Sequence, residues 1–102
     1  MGLYWEEIPL GEEYAEISEG RTVTEADIVN FACLTGDFNS IHVNADYCQN
    51  SNFGERIAHG LLGLSYVTGL GTRMPKLSTA GTVIAFMSIL NWKFKAPIKI
   101  GD

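Results

Sequence analysis

The run Thr35-Gly36-Asp37-Phe38-Asn39-Ser40-Ile41-His42 sets a carboxylate and an imidazole five positions apart. Histidine exchanges a proton near neutral pH, and a carboxylate beside it can orient the ring or share the same water molecule. A loop can aim both groups at one point, which a helix does poorly at that spacing. The residues alone are also satisfied by a plainer reading, in which Asp37 caps a turn and His42 is a hydrogen-bonded polar residue. The spacing by itself is weakly specific.

A second run, Arg56-Ile57-Ala58-His59-Gly60-Leu61-Leu62, leads from polar residues into an apolar segment. A helix starting here leaves backbone N–H groups without carbonyl partners and with partial positive charge. Gly60 has no side chain to keep a carbonyl oxygen away from them, so an oxyanion could be stabilised there. Alternatively, Gly60 only permits close packing. His59 reads as a helix-start residue rather than a reacting group. His42 and His59 have no metal-ligand spacing to each other or to the cysteines, so no metal is expected. Cys33 and Cys48 form no CxxC pair and fall in helical segments. They read as reduced packing residues of a cytoplasmic protein.

These groups need elements to position them. Residues 14–23 have the pattern of a first strand, after an arm or loop over residues 4–11. Thr24 is a good N-cap, with Glu25 and Asp27 in the first turn, and Ile28, Phe31, Ala32 and Leu34/Thr35 form an apolar helix face. Gly36 ends that helix, and residues 37–42 form the loop it launches. A short helix is expected over residues 45–50, a polar turn over 51–55, and a buried apolar helix over 57–70. Small residues in that helix (Gly60, Gly63, Ser65) allow close approach. Residues 71–81 read as a loop. Residues 82–96 read as a long strand, broken by Pro97, with a short extended piece over 98–100. Strand, helix, loop, buried helix and long strands suit an antiparallel sheet around a central helix, an α+β architecture.

The chain has 102 residues, which suits one domain spanning residues 1–102. With 46% hydrophobic and 19% charged residues it has the composition of a folded protein. Its core is thin at this length, so a partner subunit would help bury it. A net charge of −5 argues against nucleic acid or anionic membrane as partners. Basic residues gather late, at Arg73, Lys76, Lys93, Lys95 and Lys99, and read as solvated faces or as local contacts for an anionic ligand. The acidic N-terminal residues have the wrong charge for a signal peptide, and residues 57–70 are too few to span a bilayer.

Residues 24–70 resemble the MaoC-like dehydratase family, which includes the (R)-specific enoyl-CoA hydratases. The family pattern is Gly, Asp, any residue, Asn, Pro, an aliphatic residue and His, followed later by Ala-His-Gly. Here it reads Gly36, Asp37, Phe38, Asn39, Ser40, Ile41, His42, then Ala58, His59, Gly60. The run Phe94-Lys95-Ala96-Pro97-Ile98-Lys99-Ile100-Gly101-Asp102 is similar to the family's strand, proline and Gly-Asp turn. Two motifs at the right separation are far more specific than either alone. Ser40 departs from the pattern, because the usual proline would stiffen the loop. The sequence reads as stopping inside the sheet that the hot-dog fold requires, so the domain is expected either to be incomplete there or to take its missing strands from another chain.

The resemblance implies a hot-dog fold and addition of water to a trans-2-enoyl thioester of coenzyme A or acyl carrier protein, giving an (R)-3-hydroxyacyl thioester. It implies that Asp37 and His42 hold and activate the water, that the Gly60 N–H stabilises the enolate, and that Asn39 supports the loop or orients the water. It implies no metal, no cofactor beyond the acyl carrier, and a homodimer. A non-catalytic acyl-CoA-binding domain and an acyl-CoA thioesterase are the alternatives on the same fold.

Overall fold

The computed structural model describes residues 2–11, 19–76 and 80–102. It divides into two compact units, Met1–Gly20 with Tyr66–Trp92, and Arg21–Ser65 with Lys93–Asp102. The second unit contains Asp37, Asn39, His42, His59 and Gly60.

Helix α1 runs over Glu25–Thr35. Thr24 and Asp27 start it with reciprocal bonds. The Asp27 N–H donates to Thr24 Oγ1 at 3.2 Å, and the Thr24 N–H donates to Asp27 Oδ2 at 3.0 Å. Gly36 ends it in the left-handed conformation, φ 80°, with its N–H donating to the Ala32 carbonyl at 2.8 Å. Ile28 and Ala32 are buried. Leu34, expected on the same face, is exposed, because at about 100° per residue it points roughly 120° away from Ile28 and roughly 160° away from Ala32.

Two short helices follow, α2 over Ser40–Val43 and α3 over Ala45–Gln49. His42 therefore sits on a helical turn and not on the loop expected over 37–42. Asn39 and Asn44 cap the two helices, their side-chain oxygens accepting from the Ile41 and Tyr47 N–H groups. Cys48 on α3 is fully buried, and its thiol donates to the Ile41 carbonyl at 3.2 Å, bracing α3 against α2. Cys33, expected to be a packing residue, is exposed.

Helix α4 spans Gly60–Thr72, starting three residues later than expected. Residues 57 and 58 are extended instead. Ile57 forms an antiparallel bridge with Lys99, and the Ala58 N–H donates to the Ile98 carbonyl at 2.8 Å. The same C-terminal segment pairs with Val23, which donates to Asp102 and accepts from Gly101, each at 2.8 Å. Residues 98–102 thus tie the start of α1 to the residues that lead into α4. Gly63 leaves room for this packing, since a Cβ there would come within 2.5 Å of Ile98 Cδ1 and that side-chain end would have to shift.

The expected wrapped sheet is not seen among the described residues, where the one pairing of strand type is the Ile57–Lys99 bridge. Most of the strand expected over 14–23 lies outside the described residues, and 19–23 are irregular. Residues 82–96 form no strand. A strand needs a neighbour for its backbone groups, and here Ile84, Met87 and Leu90 stand exposed. Helix α4, expected to be buried, is apolar on all sides but fully buries only Leu62. No helix among the described residues is long and apolar enough to cross a membrane.

The Arg56 guanidinium donates to Glu25 Oε1 at 2.8 Å, fastening the approach to α4 onto the first turn of α1. That bond, and the charge behind it, lower the Glu25 pKa from its ordinary 4.5. A lowered folded-state pKa gives stabilisation that is full above the ordinary value and fades as pH falls through the lowered one. Arg56→Leu should return the Glu25 titration, followed by carboxyl NMR, to the ordinary carboxylate range; an unmoved titration would rule out Arg56 as the cause. Gly63→Ala should lose stability in urea melts, because overpacking costs about 1–3 kcal/mol against at most about 1 kcal/mol gained in helix propensity. Adding Ile98→Val, which removes Cδ1, should recover part of the loss. Stabilisation by Gly63→Ala alone would contradict this packing.

Candidate active site

The segment after α1 is shaped by three successive side-chain-to-backbone bonds. Thr35 Oγ1 accepts from the Asp37 N–H at 3.1 Å, Asp37 Oδ1 from the Asn39 N–H at 3.2 Å, and Asn39 Oδ1 from the Ile41 N–H at 3.4 Å. Such local bonds favour turns over a continued helix. They leave Asp37 half exposed, with Oδ1 engaged by the backbone and Oδ2 directed to His42.

His42 is held from the other side. Its Nδ1 lies 2.8 Å from the Ile57 carbonyl oxygen. A carbonyl only accepts, so Nδ1 carries the hydrogen, and in the neutral ring Nε2 is left bare. Nε2 lies 3.9 Å from Asp37 Oδ2. That is too long for a direct hydrogen bond and short enough for one water oxygen to reach both atoms.

His59, expected only as a helix-start residue, completes the group. It does immediately precede α4, but it is only 3% exposed. Its ring stacks on His42, centroids 3.8 Å apart and planes inclined at 25°, with the Phe31 ring edge-on at 5.0 Å. Its Nε2 lies 2.9 Å from the Asp37 carbonyl oxygen and is therefore the donor. Its Nδ1 is buried without a hydrogen-bond partner among the described residues. A buried orphan acceptor costs about 1–3 kcal/mol. The aromatic Phe31 three positions before Leu34 was legible as a face residue; its contact with His59 was not.

A cleft of about 230 Å³ is lined by Asp37, His42, His59 and Gly60, with Phe31 and Leu61 among the walls. Gly60 is the first residue of α4, so its N–H has no acceptor within the helix. A Cβ there would meet the Phe94 ring at 2.9 Å. Gly60 and Leu61 also line a larger apolar cleft of about 460 Å³ with Phe53, Phe94, Pro97 and Ile98. Asn39, expected to bind substrate, is in neither wall; it caps α2, and its N–H donates to Asp37 Oδ1.

Asp37, His42 and His59 offer ligand atoms within 4.8 Å of one another, a grouping that chain spacing did not reveal. His59 could ligate while keeping its bond to Asp37 only through Nδ1.

The family model for the MaoC like domain matches residues 9–102. The chain belongs to the MaoC-like family. It is 42% identical over 100 residues to an (R)-specific enoyl-CoA hydratase of Rhodospirillum rubrum, covering 97% of this chain and 63% of that protein. It is 37% identical over 101 residues to a 3-hydroxybutyryl-CoA dehydratase of Methylorubrum extorquens, covering 98% and 59%. Among solved structures it is similar to a monoamine oxidase regulatory protein of Archaeoglobus fulgidus, with TM-score 0.78, 37% identity, and 98% and 65% of the two chains covered. It is also similar to R-hydratase PhaJ1 of Pseudomonas aeruginosa, unliganded, with TM-score 0.64, 28% identity, and 85% and 56% covered. This MaoC-like chain thus spans about three fifths of the length of these relatives. Its structural neighbours are hot-dog proteins, which fixes the fold family.

Within that family Ser40 stands where the pattern has proline. It is the first residue of α2, where an N–H has no helical partner and proline is favoured. Asn39, at φ −55° and ψ 135°, already has the backbone that a following proline requires. Ser40→Pro should therefore stabilise the MaoC-like domain by about 0.4–1 kcal/mol in urea denaturation. A loss of stability would show that the backbone at 40 is not the helical start described.

Proposed function

We propose that the protein is a hydratase/dehydratase that adds water to a trans-2-enoyl thioester, carried by coenzyme A or acyl carrier protein, to give an (R)-3-hydroxyacyl thioester. One observation carries this reading: a bare imidazole nitrogen and a carboxylate oxygen 3.9 Å apart, in one small cleft with a helix start. Two acceptors at that separation bind the two hydrogens of one water and leave its oxygen lone pair pointing outward.

With the thioester carbonyl at the Gly60 N–H, the water oxygen attacks C3. A water proton passes to the Asp37–His42 pair, and the electrons of the double bond move onto the carbonyl oxygen as an enolate. The Gly60 N–H and the partial charge of the α4 start stabilise that oxyanion. The pair then returns a proton to C2, and the carbonyl re-forms. The balance is one water added and no net proton change. Asn39 contributes by holding Asp37 and starting the turn that presents His42. The adjoining apolar cleft has room for part of the thioester's chain. The reaction so written needs neither metal nor redox cofactor.

A homodimer is part of the proposal, since the extended run after residue 82 exposes large apolar side chains that a second subunit would cover. Two free thiols favour a cytoplasmic setting.

Purified protein should hydrate crotonyl-CoA, read as loss of the enoyl-thioester absorbance. Asp37→Asn and His42→Ala should each slow it by roughly 100-fold or more. Wild-type rates in both variants would remove the proposal. Release of free thiol from the substrate would instead indicate a thioesterase, and tight acyl-CoA binding without turnover a binding domain.

A further inference from the structure

We propose that His59 is a positioning residue for the Asp37–His42 pair, holding both partners at once through opposite features of one ring. This rests on the hydratase reading for its consequence in rate, but not for the geometry itself.

The ring makes two contacts of different kinds. Through Nε2–H it donates to the Asp37 carbonyl at 2.9 Å, fixing the backbone that launches the carboxylate. Through its face it lies against the His42 imidazole, centroids 3.8 Å apart, fixing the plane in which bare Nε2 points. The Phe31 ring also lies edge-on to His59, centroids 5.0 Å apart. His42 is thus restrained in direction by the Ile57 carbonyl and in tilt by His59. An apolar side chain could fill this volume without burying an unpartnered nitrogen. An imidazole is accounted for only if its donor and its flat face are both used. His59 also adjoins Gly60, so the residue that sets the pair is covalently joined to the residue proposed to bind the oxyanion.

The two contacts can be separated by substitution. His59→Gln keeps an N–H donor of similar reach and removes the ring. His59→Phe keeps the ring and removes the donor. Each should lower kcat for crotonyl-CoA by tenfold or more, as expected for misplaced reacting groups, while KM stays within about threefold. A merely structural role would move neither parameter selectively.

A measurement on the unaltered protein stands apart from activity. In ¹⁵N-labelled protein, ring nitrogens that carry hydrogen and those that are bare resonate far apart. His42 should show hydrogen on Nδ1 and none on Nε2, and His59 the reverse arrangement. His59→Gln should leave the Asp37 amide resonance in place and broaden or shift the His42 ring signals. His59→Phe should do the opposite. Unaltered kcat in both variants, or the opposite ring arrangement at either histidine in the unaltered protein, would overturn the proposal. If the unaltered protein failed to hydrate any enoyl thioester yet showed these ring signals, the hydratase reading would fall and the positioning geometry would stand.

Discussion

The site depends on the peptide groups of one residue, Ile57. Its carbonyl accepts from His42 Nδ1 at 2.8 Å, and its N–H donates to the Ile41 carbonyl at 3.2 Å. Ile57 also bridges to Lys99. Three segments that are distant in sequence therefore meet at one extended residue: the turn carrying His42, the approach to α4, and the C-terminal segment. The carbonyl bond decides which ring nitrogen of His42 is bare, and hence whether the imidazole faces Asp37 as an acceptor. Net of water, such a bond is worth only about 1 kcal/mol. Its importance lies in direction.

The remaining parts of the site act as constraints on the same two atoms. The relay through Thr35, Asp37 and Asn39 shapes the turn and holds one carboxylate oxygen, leaving the other directed at His42. Cys48 supports α2 from below through the Ile41 carbonyl, which also receives the Ile57 N–H. His59 joins the carboxylate's backbone to the imidazole's face. Close packing of Phe94 and Ile98 over Gly60 and Gly63 brings the C-terminal segment against the α4 start. A Cβ at either place would displace the side chain that approaches it.

The local parts of this arrangement were legible in the sequence. Thr24 and Gly36 mark the two ends of α1 by capping chemistry that acts within a few residues. Asp37, His42 and Gly60 stand out by residue type and motif, and they do line one cleft. What depends on non-local contact was not legible. His59 looked like a helix-start residue because its stacking partner lies 17 positions earlier and its acceptor 22. The late start of α4 follows from pairing of residues 57 and 58 with 98 and 99, which outweighs the apolar pattern of that stretch. Residues 82–96 have strand composition, but composition supplies no neighbour, and among the described residues they pair with none as a ladder.

In the proposed reaction one water is shared by Asp37 Oδ2 and His42 Nε2, 3.9 Å apart, so the hydroxyl and the C2 proton would be delivered to one face of the double bond. Hydration of crotonyl-CoA in D₂O, with the product's relative configuration at C2 and C3 read by NMR, tests this most directly. A water shared by the pair should give a single diastereomer of the (R)-3-hydroxy product, with deuterium and oxygen added to the same face. Addition to opposite faces, or a mixture of diastereomers formed by the enzyme itself, would contradict a water shared by this carboxylate and this imidazole.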